Sequence, residues 1–257
     1  MSSLDSLFGL AGRNALVTGG SRGIGRAACL AYARAGASVA VHYGGDARAA
    51  AAVVAEVEAL GGRAVAVGAD VRSPAEVERM MGEVAAFCGD AGLHVLLNNA
   101  GIYPAGSLES LTVEEWDDVM AVNARGPFLV TKAALPLLKR PGRARVINVG
   151  TVMGHRGVPG VLHYVASKGA VIGFTRGLAR ELAPYGITVN CATPSMVGTE
   201  TADRDFGSTR DAVVADQAIA RYERPEDFVG LLLFLASDAS GFTTGQTILA
   251  DGGRVFL

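Results

Sequence analysis

A tyrosine and a lysine stand four positions apart in the segment Tyr164-Val-Ala-Ser-Lys168. In a helix, residues at this spacing lie on one face, one turn from each other. A phenol with a pKa of about 10 exchanges protons poorly at neutral pH, but a nearby ammonium group favours the phenolate and lowers that pKa. The spacing predicts that Tyr164 exchanges a proton with a ketone or alcohol oxygen while Lys168 lowers its pKa. The alternative is a core tyrosine beside a surface lysine.

A glycine-rich segment, Thr18-Gly-Gly-Ser-Arg-Gly-Ile-Gly25, joins an apolar run to a helical pattern. Glycine at positions 19, 23 and 25 lets the backbone turn sharply and approach a pyrophosphate. The start of the following helix offers free N–H groups and a partial positive charge to that anion. When it occurs alone, such a glycine pattern is weak evidence for a nucleotide site, because glycines often only form a tight turn. Between the first strand and the first helix of an α/β chain, it predicts a dinucleotide site.

The residues that end the second predicted strand indicate which dinucleotide binds. An acidic residue there binds the ribose 2′-hydroxyl of NAD and repels the 2′-phosphate of NADP. In this chain the segment reads Val41-His42-Tyr43-Gly44-Gly45, and the first carboxylate is that of Asp46. Arg22 in the glycine turn can supply a countercharge to a phosphate, unless it is only a solvated turn residue. We expect NADP(H) as the cofactor, with NAD(H) as the alternative.

Short β-branched runs alternate with longer helical patterns along the chain. Strands are predicted at 14–18, 38–43, 63–67, 93–97, 144–149, 188–192 and 246–249. Helices are predicted at 23–35, 46–60, 74–88, 112–139 as one long helix or a pair, 163–183 and 225–236. The stretch 195–222 is irregular. This alternation predicts an α/β fold, a Rossmann-type doubly wound parallel sheet of about seven strands with helices on both faces. No linker divides the chain, so we expect a single domain over residues 1–257.

The composition excludes several classes of protein. With 257 residues, 50% hydrophobic and 19% charged, the chain has enough apolar residues for a core and is not disordered. A net charge of −2 lacks the basic excess that nucleic acid or a membrane surface requires. No apolar run approaches the roughly 20 residues of a membrane span, and no signal peptide is visible, so we expect a cytoplasmic protein. The three cysteines and four histidines lack the spacing of metal ligands, so we expect buried free thiols and no metal.

Several further motifs follow in order: Asp70-Val71, Asn98-Asn-Ala-Gly101, Asn123, residues 194–199, Thr244-Gly-Gln246 and Asp251-Gly-Gly253. Together with the glycine turn and the Tyr164 motif, they resemble the short-chain dehydrogenase/reductase family along nearly the whole chain. The resemblance implies an oxidoreductase that transfers a hydride between a nicotinamide cofactor and a ketone or secondary alcohol. It implies that Asp70 and Val71 flank the adenine and that Asn98-Asn-Ala-Gly101 supports the central strand and the cofactor. It also implies that Lys168 holds the nicotinamide ribose.

The same resemblance implies roles for three further residues. Asn123 anchors a water that relays protons to Lys168, and Val197 and Thr199 contact the carboxamide. The predicted catalytic residues are Asn123, Thr151, Tyr164 and Lys168. The predicted cofactor-binding residues are Gly19, Ser21, Arg22, Gly23, Ile24, Gly25, Tyr43, Asp70, Val71, Asn99, Ala100, Gly101, Tyr164, Lys168, Pro194, Val197 and Thr199.

The chain departs from the family pattern at two positions. Thirteen residues before Tyr164 the family has serine, and this chain has Thr151. Threonine keeps the hydroxyl but adds a methyl group and a stiffer side chain, so we expect Thr151 to orient the substrate carbonyl in a narrower space. The second departure is Ser195, where glycine is usual after the proline. Its hydroxyl either contacts the substrate or caps the following segment.

The substrate class stays open between two alternatives. The Gly61-Gly62-Arg63 and Asn190-Cys191-Ala192 segments resemble carrier-protein-type 3-oxoacyl-thioester reductases. Against this, Tyr185 stands where several such reductases have arginine. A basic patch could form from Lys139, Arg140, Arg143 and Arg145. A reductase of a small or cyclic ketone is the other alternative.

A catalytically silent NADP(H)-binding regulator is the rival from another class, and the presence of all four predicted catalytic residues disfavours it. We expect the segment 195–222 to form a lid over the substrate. Family members commonly form tetramers, so we expect a homotetramer, or a dimer, through the helices near 112–139 and 163–183. The C-terminal strand and the apolar ending after Arg254 are expected to contribute to that contact.

Overall fold

A computed structural model describes residues 7–199 and 209–256, which contain one parallel sheet of seven strands. The strands are β1 (Asn14–Val17), β2 (Ser38–Tyr43), β3 (Ala64–Gly68), β4 (Val95–Asn98), β5 (Arg145–Val149), β6 (Thr188–Pro194) and β7 (Thr247–Ala250). Their order across the sheet is β3-β2-β1-β4-β5-β6-β7. The chain therefore winds outward first on one side of β1 and then on the other. This doubly wound order confirms the predicted fold class.

Helices cover both faces of the sheet. They are α1 (Gly23–Arg34), α2 (Ala47–Ala59), α3 (Pro74–Cys88), α4 (Val113–Met120), α5 (Gly126–Lys139), α6 (Met153–Arg156), α7 (Leu162–Leu182), α8 (Arg210–Ala215) and α9 (Pro225–Ala236). One hydrophobic cluster packs α1, α2 and α9 on one face, and a second packs α3, α5 and α7 on the other. Because the central strands are covered on both sides, their sequences are continuously apolar rather than alternating.

The predicted helix at 112–139 is a pair, α4 and α5, joined by a π-helical turn at Ala121–Arg125. The start of α3 is as predicted, since the Ser73 hydroxyl accepts a hydrogen bond from the N–H of Glu76. Two short helices were not predicted. One is α6, and the other is α8, which lies inside the stretch expected to be irregular. Helices of four and six residues are too short to show a helical period in the sequence.

The three cysteines are buried free thiols, as predicted. In the described residues, no helix has both the length and the apolar character that a membrane span needs. The predicted lid, 195–222, is described only at its two ends. Its members Thr201, Asp203, Arg204, Asp205 and Phe206 lie outside the described residues.

Candidate functional site

A cleft of about 1340 Å³ opens at the carboxyl ends of the strands, where the sheet order reverses between β1 and β4. Open α/β sheets bind ligands at this switch point because the loops on either side diverge there. The cleft brings together most of the predicted site residues. Those that line it are Gly19, Ser21, Arg22, Gly23, Ile24, Asp70, Val71, Asn99, Ala100, Gly101, Thr151, Tyr164, Lys168, Pro194, Val197 and Thr199.

Three predicted site residues, Gly25, Tyr43 and Asn123, do not line the cleft. Neighbouring side chains on a strand point to opposite faces, so His42 faces the cleft and Tyr43 does not. The Tyr43 ring instead packs beside Gly68 on β3, where an added Cβ would lie only 2.8 Å from the ring. The predicted cofactor contact of the Tyr43 side chain therefore has no geometric support.

The glycine turn leaves room for a phosphate group beside the start of α1. Gly19 and Gly23 adopt φ values of +63° and +53°, which side chains rarely tolerate. A Cβ at Gly25 would lie 2.1 Å from the carbonyl oxygen of Gly19, so only glycine permits this close approach. Arg22, the residue before α1, makes no side-chain hydrogen bond to the first N–H groups of the helix. These free donors and the glycine-lined space fit the pyrophosphate of a dinucleotide.

Hydrogen bonds from the end of β4 hold the turn in this shape. The Thr18 hydroxyl accepts from the backbone N–H groups of Asn99 at 2.9 Å and Ala100 at 3.0 Å. The Asn99 amide donates to the carbonyl oxygens of Thr18 at 2.9 Å and Gly19 at 3.1 Å. Asn99 and Ala100 therefore position the turn through their backbone N–H groups and the Asn99 side chain, and both residues also line the cleft.

His42 is a buried residue at the end of β2 that the sequence did not single out. Its Nδ1 accepts a hydrogen bond from the N–H of Gly19 at 3.0 Å, and its Nε2 lies 2.9 Å from the carbonyl oxygen of Ala69. Because an N–H can only donate, Nδ1 is unprotonated and Nε2 has the hydrogen. Burial lowers the pKa of His42, in keeping with a neutral ring. The ring thereby joins the ends of three neighbouring strands.

The other wall of the cofactor side contains an exposed charge cluster. The Arg72 guanidinium donates to both carboxylate oxygens of Asp70, at 3.0 and 2.9 Å, and also binds Asp118. The hydrogen bonds from Arg72 hold the pKa of Asp70 below its usual range. Two carboxylates here face one guanidinium, so this cluster offers no free positive charge to an anion.

Tyr164, Lys168 and Thr151 meet at the middle of the cleft. Lys168 Nζ donates to the carbonyl oxygen of Val149 at 2.8 Å and lies 5.9 Å from the centre of the Tyr164 ring. The Thr151 side chain lies close enough to the Tyr164 hydroxyl to lower its pKa. Burial raises the pKa of Tyr164 to about 12, with the Thr151 side chain acting in the opposite direction, and burial lowers the pKa of Lys168 to about 8. Desolvation is thus the largest influence on the pKa of Tyr164 in the cleft. The lowering that the Lys168 ammonium and an oxidised nicotinamide are expected to produce together stays a prediction for the cleft with cofactor bound.

Asn123 lies in the π-helical turn and is completely buried behind the cleft. Its amide donates to the carbonyl oxygen of Ile102 at 2.8 Å and to the Ser167 hydroxyl at 3.1 Å. Its side-chain oxygen accepts from the N–H of Ile102 at 2.9 Å. The Asn123 side chain therefore fixes the loop after β4 against α7, directly behind Gly101 and Lys168.

Ser195 and Glu223 join two loops beneath the cleft. The Ser195 hydroxyl donates to the side-chain oxygen of Gln217 at 3.0 Å, and its N–H donates to Glu223 Oε2 at 2.8 Å. Burial raises the pKa of Glu223 to about 8. The Ser195 hydroxyl is thus bonded within the protein, which favours the capping alternative for this residue. Glu223 was missed in the sequence because nothing in its neighbourhood marks it as buried.

Three charged residues that the sequence analysis did not assign also line the cleft. Arg156 ends α6, Asp216 follows α8, and Arg254 follows β7. Both guanidinium groups contact Oδ2 of Asp216, and the Arg254 Nε–Oδ2 distance is 3.0 Å. Hydrogen bonds from the two arginines lower the pKa of Asp216, so its carboxylate is ionised.

The basic residues near the end of α5 do not contribute to the cleft. Lys139, Arg140, Arg143 and Arg145 precede or begin β5, which places them at the opposite edge of the sheet. Arg145 is buried and binds Asp238 at 3.2 Å. These four residues therefore form no basic patch beside the cleft. Across residues 7–199 and 209–256, no three histidine, cysteine, aspartate or glutamate side chains form a candidate metal site.

Comparison with known proteins assigns the chain to a family. A family model described as enoyl-(acyl carrier protein) reductase matches residues 19–254. The chain is 40% identical over 241 residues to the 3-oxoacyl-[acyl-carrier-protein] reductase of Staphylococcus aureus, covering 94% of this chain and 97% of that protein. The chain belongs to the short-chain dehydrogenase/reductase family, an assignment that the sequence motifs had predicted.

Two solved structures share the fold along almost the whole chain. A dehydrogenase/reductase from Sinorhizobium meliloti is 40% identical, has a TM-score of 0.92, and is matched over 100% of both chains. A short-chain dehydrogenase from Burkholderia cenocepacia, in complex with NADP, is 41% identical, has a TM-score of 0.90, and is matched over 95% of this chain and 98% of its own. Family, fold and relatives together identify an NAD(P)-dependent oxidoreductase.

Proposed function

We propose that this protein transfers a hydride between NADP(H) and a ketone or secondary alcohol, with Tyr164 as the general acid and base. The observation that supports this most directly is the Thr151–Tyr164 hydroxyl pair beside Lys168, in the same cleft as the glycine turn. Two hydroxyls side by side provide two hydrogen-bond donors to one carbonyl oxygen.

Bound in the cleft, a reduced nicotinamide supplies the hydride that adds to the carbonyl carbon. The Thr151 and Tyr164 hydroxyls orient and polarise the carbonyl oxygen. Tyr164 then gives its proton to that oxygen, and its pKa of about 12 means that it is protonated at neutral pH. The Lys168 ammonium reduces the cost of the resulting phenolate because it lies beside the ring. In the direction of alcohol oxidation, the Tyr164 phenolate takes the proton from the hydroxyl group of the alcohol.

The dinucleotide site is proposed to prefer NADP(H) over NAD(H). Arg22 lines the cleft and is exposed beside the glycine turn. His42 offers no negative charge at the end of β2. The first carboxylate after β2, that of Asp46, lines the cleft and accepts a hydrogen bond from the N–H of Ala49 at the start of α2. The 41% identical relative that binds NADP supports the same preference.

The remaining roles follow the family resemblance. Gly19 to Gly25 would hold the pyrophosphate, and Asp70 with Val71 would flank the adenine. Asn99, Ala100 and Gly101 would support the cofactor from the end of β4. Pro194, Val197 and Thr199 would contact the nicotinamide end, and Asn123 would anchor the water that relays protons to Lys168.

We also propose that the whole chain is one domain with a lid at 195–222, that it assembles as a homotetramer or dimer, and that it acts in the cytoplasm. The exposed Phe128 on α5 contacts Phe174 on α7, so the two helices expected at the interface share an apolar surface. Light scattering on the purified protein tests the assembly, and a monomer would contradict it.

A second candidate function is reduction of a 3-oxoacyl thioester. The 40% identity to a carrier-protein reductase favours it. The distance of Lys139, Arg140 and Arg143 from the cleft disfavours a carrier protein docked through them. Nicotinamide absorbance measured over a panel of small ketones, acetoacetyl thioester and crotonyl thioester distinguishes these candidates. Reduction of crotonyl thioester alone would overturn a carbonyl reductase, and tight NADPH binding without turnover would favour the regulator.

A further inference from the structure

The cleft has a cationic end that the hydride-transfer residues do not use. Arg156, Asp216 and Arg254 meet there from three distant parts of the chain. Arg254 follows β7, which lies at the other end of the sheet order from β2 and β3, far from the adenine side. Arg156 ends α6, which begins two residues after Thr151. The cluster therefore belongs to the substrate end of the cleft rather than to the glycine turn.

The Arg254 guanidinium is incompletely satisfied. Its side chain is only 8% exposed, and Nε donates to Asp216. Its Nη1 is buried and has no hydrogen-bond partner. A buried charged group with an unpaired donor raises the free energy of the folded protein, so an acceptor at Nη1 would stabilise the site. No acceptor in the described part of the chain occupies this position.

Among the described residues of this cluster, the charges do not cancel. Asp216 contributes one negative charge, whereas Arg156 and Arg254 contribute two positive charges. The same cleft is also lined by apolar side chains, among them Met153, Val158, Val161, Met196 and Val213. An apolar wall with a net positive end matches a ligand with an apolar body and an anionic end.

We propose that the substrate has an anionic oxygen group that binds the Arg254 guanidinium, with Arg156 contributing charge, while its carbonyl lies at Thr151 and Tyr164. This inference rests on the proposed function and narrows its substrate to anionic oxo compounds or the corresponding hydroxy compounds. Guanidinium binds carboxylate and phosphate by the same geometry. The anionic group is therefore either the carboxylate of an oxo acid or the phosphate of a larger thioester substrate.

Matched substrate pairs test the charge requirement. Acetoacetate and 4-oxopentanoate are compared with their methyl esters, and acetoacetyl-CoA is compared with an acetoacetyl thioester that has no phosphate. For the wild type, we expect a lower KM for the anionic member of a pair. A difference within the acid–ester pairs identifies a carboxylate, and a difference within the thioester pair alone identifies a phosphate.

Substitution of the arginine locates the effect. Arg254→Gln is expected to raise KM for the anionic member about 10- to 100-fold, with kcat and the neutral member nearly unchanged. Arg156→Gln should act in the same direction but less strongly, because that side chain is 35% exposed. Asp216→Asn should lower KM for anions, since it removes a competing carboxylate. The control is Arg34→Gln, at the exposed end of α1 on the opposite edge of the sheet.

The inference fails if Arg254→Gln raises KM equally for both members of a pair, because this would indicate a purely structural ion cluster. It also fails if the wild type has the same KM for both members. If the wild type reduces neutral ketones without regard to charge, the proposed function stands and this inference falls. If no carbonyl is reduced, the proposed function falls. Thermal shift of the NADPH-loaded protein with acetoacetate, 4-oxopentanoate and CoA then decides the inference. A stabilisation that Arg254→Gln abolishes supports it, and no stabilisation by any of them overturns it.

Discussion

The two halves of the cleft are built by different means. The cofactor half consists of backbone groups at strand ends, held by hydrogen bonds such as those of Asn99 and His42 to the glycine turn. The substrate half consists of side chains from short helices and loops, and its charged residues come from positions 156, 216 and 254. The first half is fixed by local backbone geometry, so any chain that binds a dinucleotide this way must resemble it. The second half can vary without disturbing the first.

The largest expected effect is at the junction of the two halves. Tyr164→Phe removes the proton donor, and we expect kcat for ketone reduction to fall by about 10²- to 10⁴-fold. NADPH affinity, measured by fluorescence, should change little. Thr151→Ser is expected to retain turnover and Thr151→Val to lose much of it. If Thr151→Val kept full activity while Tyr164→Phe lost it, the orienting role of Thr151 would be wrong.

In the cofactor half, Gly25→Ala is expected to abolish NADPH binding. The new Cβ would lie 2.1 Å from the Gly19 carbonyl oxygen, so the turn must open. Calorimetric titration with NADPH measures the loss. Gly82→Ala in α3 is the matched control, because a Cβ there meets no atom within 4 Å. Undiminished NADPH affinity in Gly25→Ala would contradict the proposed phosphate site.

A smaller effect is expected from Arg22, which lies in the same half but acts by charge. Arg22→Gln should raise KM for NADPH by about tenfold and leave KM for NADH nearly unchanged, because only NADPH has the 2′-phosphate. Steady-state kinetics with both cofactors, with Arg48→Gln as a surface control, measures the difference. An equal change for both cofactors would show that Arg22 supports the turn rather than the phosphate.

The smallest effect concerns pH and sharpens the role of Lys168. Its pKa is lowered to about 8, so the ammonium is present below that pH and is lost as the pH rises through it. Tyr164, with a pKa of about 12, stays protonated throughout. We therefore expect kcat for ketone reduction to be level near neutral pH and to decline above about pH 8. A profile of kcat, measured at saturating cofactor, tests this, and a rate that rises above pH 8 would exclude this role of Lys168.

The difference between the halves also explains what the sequence could predict. The alternation of strands and helices, the glycine turn and the Tyr164–Lys168 pair follow from periodicity and from short spacings. Tyr43 is close to the cofactor region in the sequence, but the alternation of side chains along the strand turns its ring toward Gly68. Closeness in the sequence alone therefore did not predict where this ring lies. The pKa of Tyr164 could not be predicted either, since burial depends on the whole surrounding fold.

The ion cluster of Arg156, Asp216 and Arg254 is a clearer example of a feature that the sequence alone does not predict. Arg156 and Arg254 are almost a hundred positions apart, and nothing in their local sequence indicates that they share Asp216. Contacts of this kind depend on where short helices such as α6 and α8 are placed by the sheet. Side-chain sites assembled from distant loops therefore require the structure, whereas sites assembled from backbone turns do not.

The hydrogen bonds of His42 restrict how the cofactor preference of this protein can be redesigned. Introducing a carboxylate at the end of β2 is the direct route from NADP to NAD. At position 42, however, an aspartate would be too short to replace both ring contacts, to the Gly19 N–H and the Ala69 carbonyl. A change of cofactor would therefore have to begin at Arg22, Gly44 or Gly45, which line the same cleft without bridging the strands.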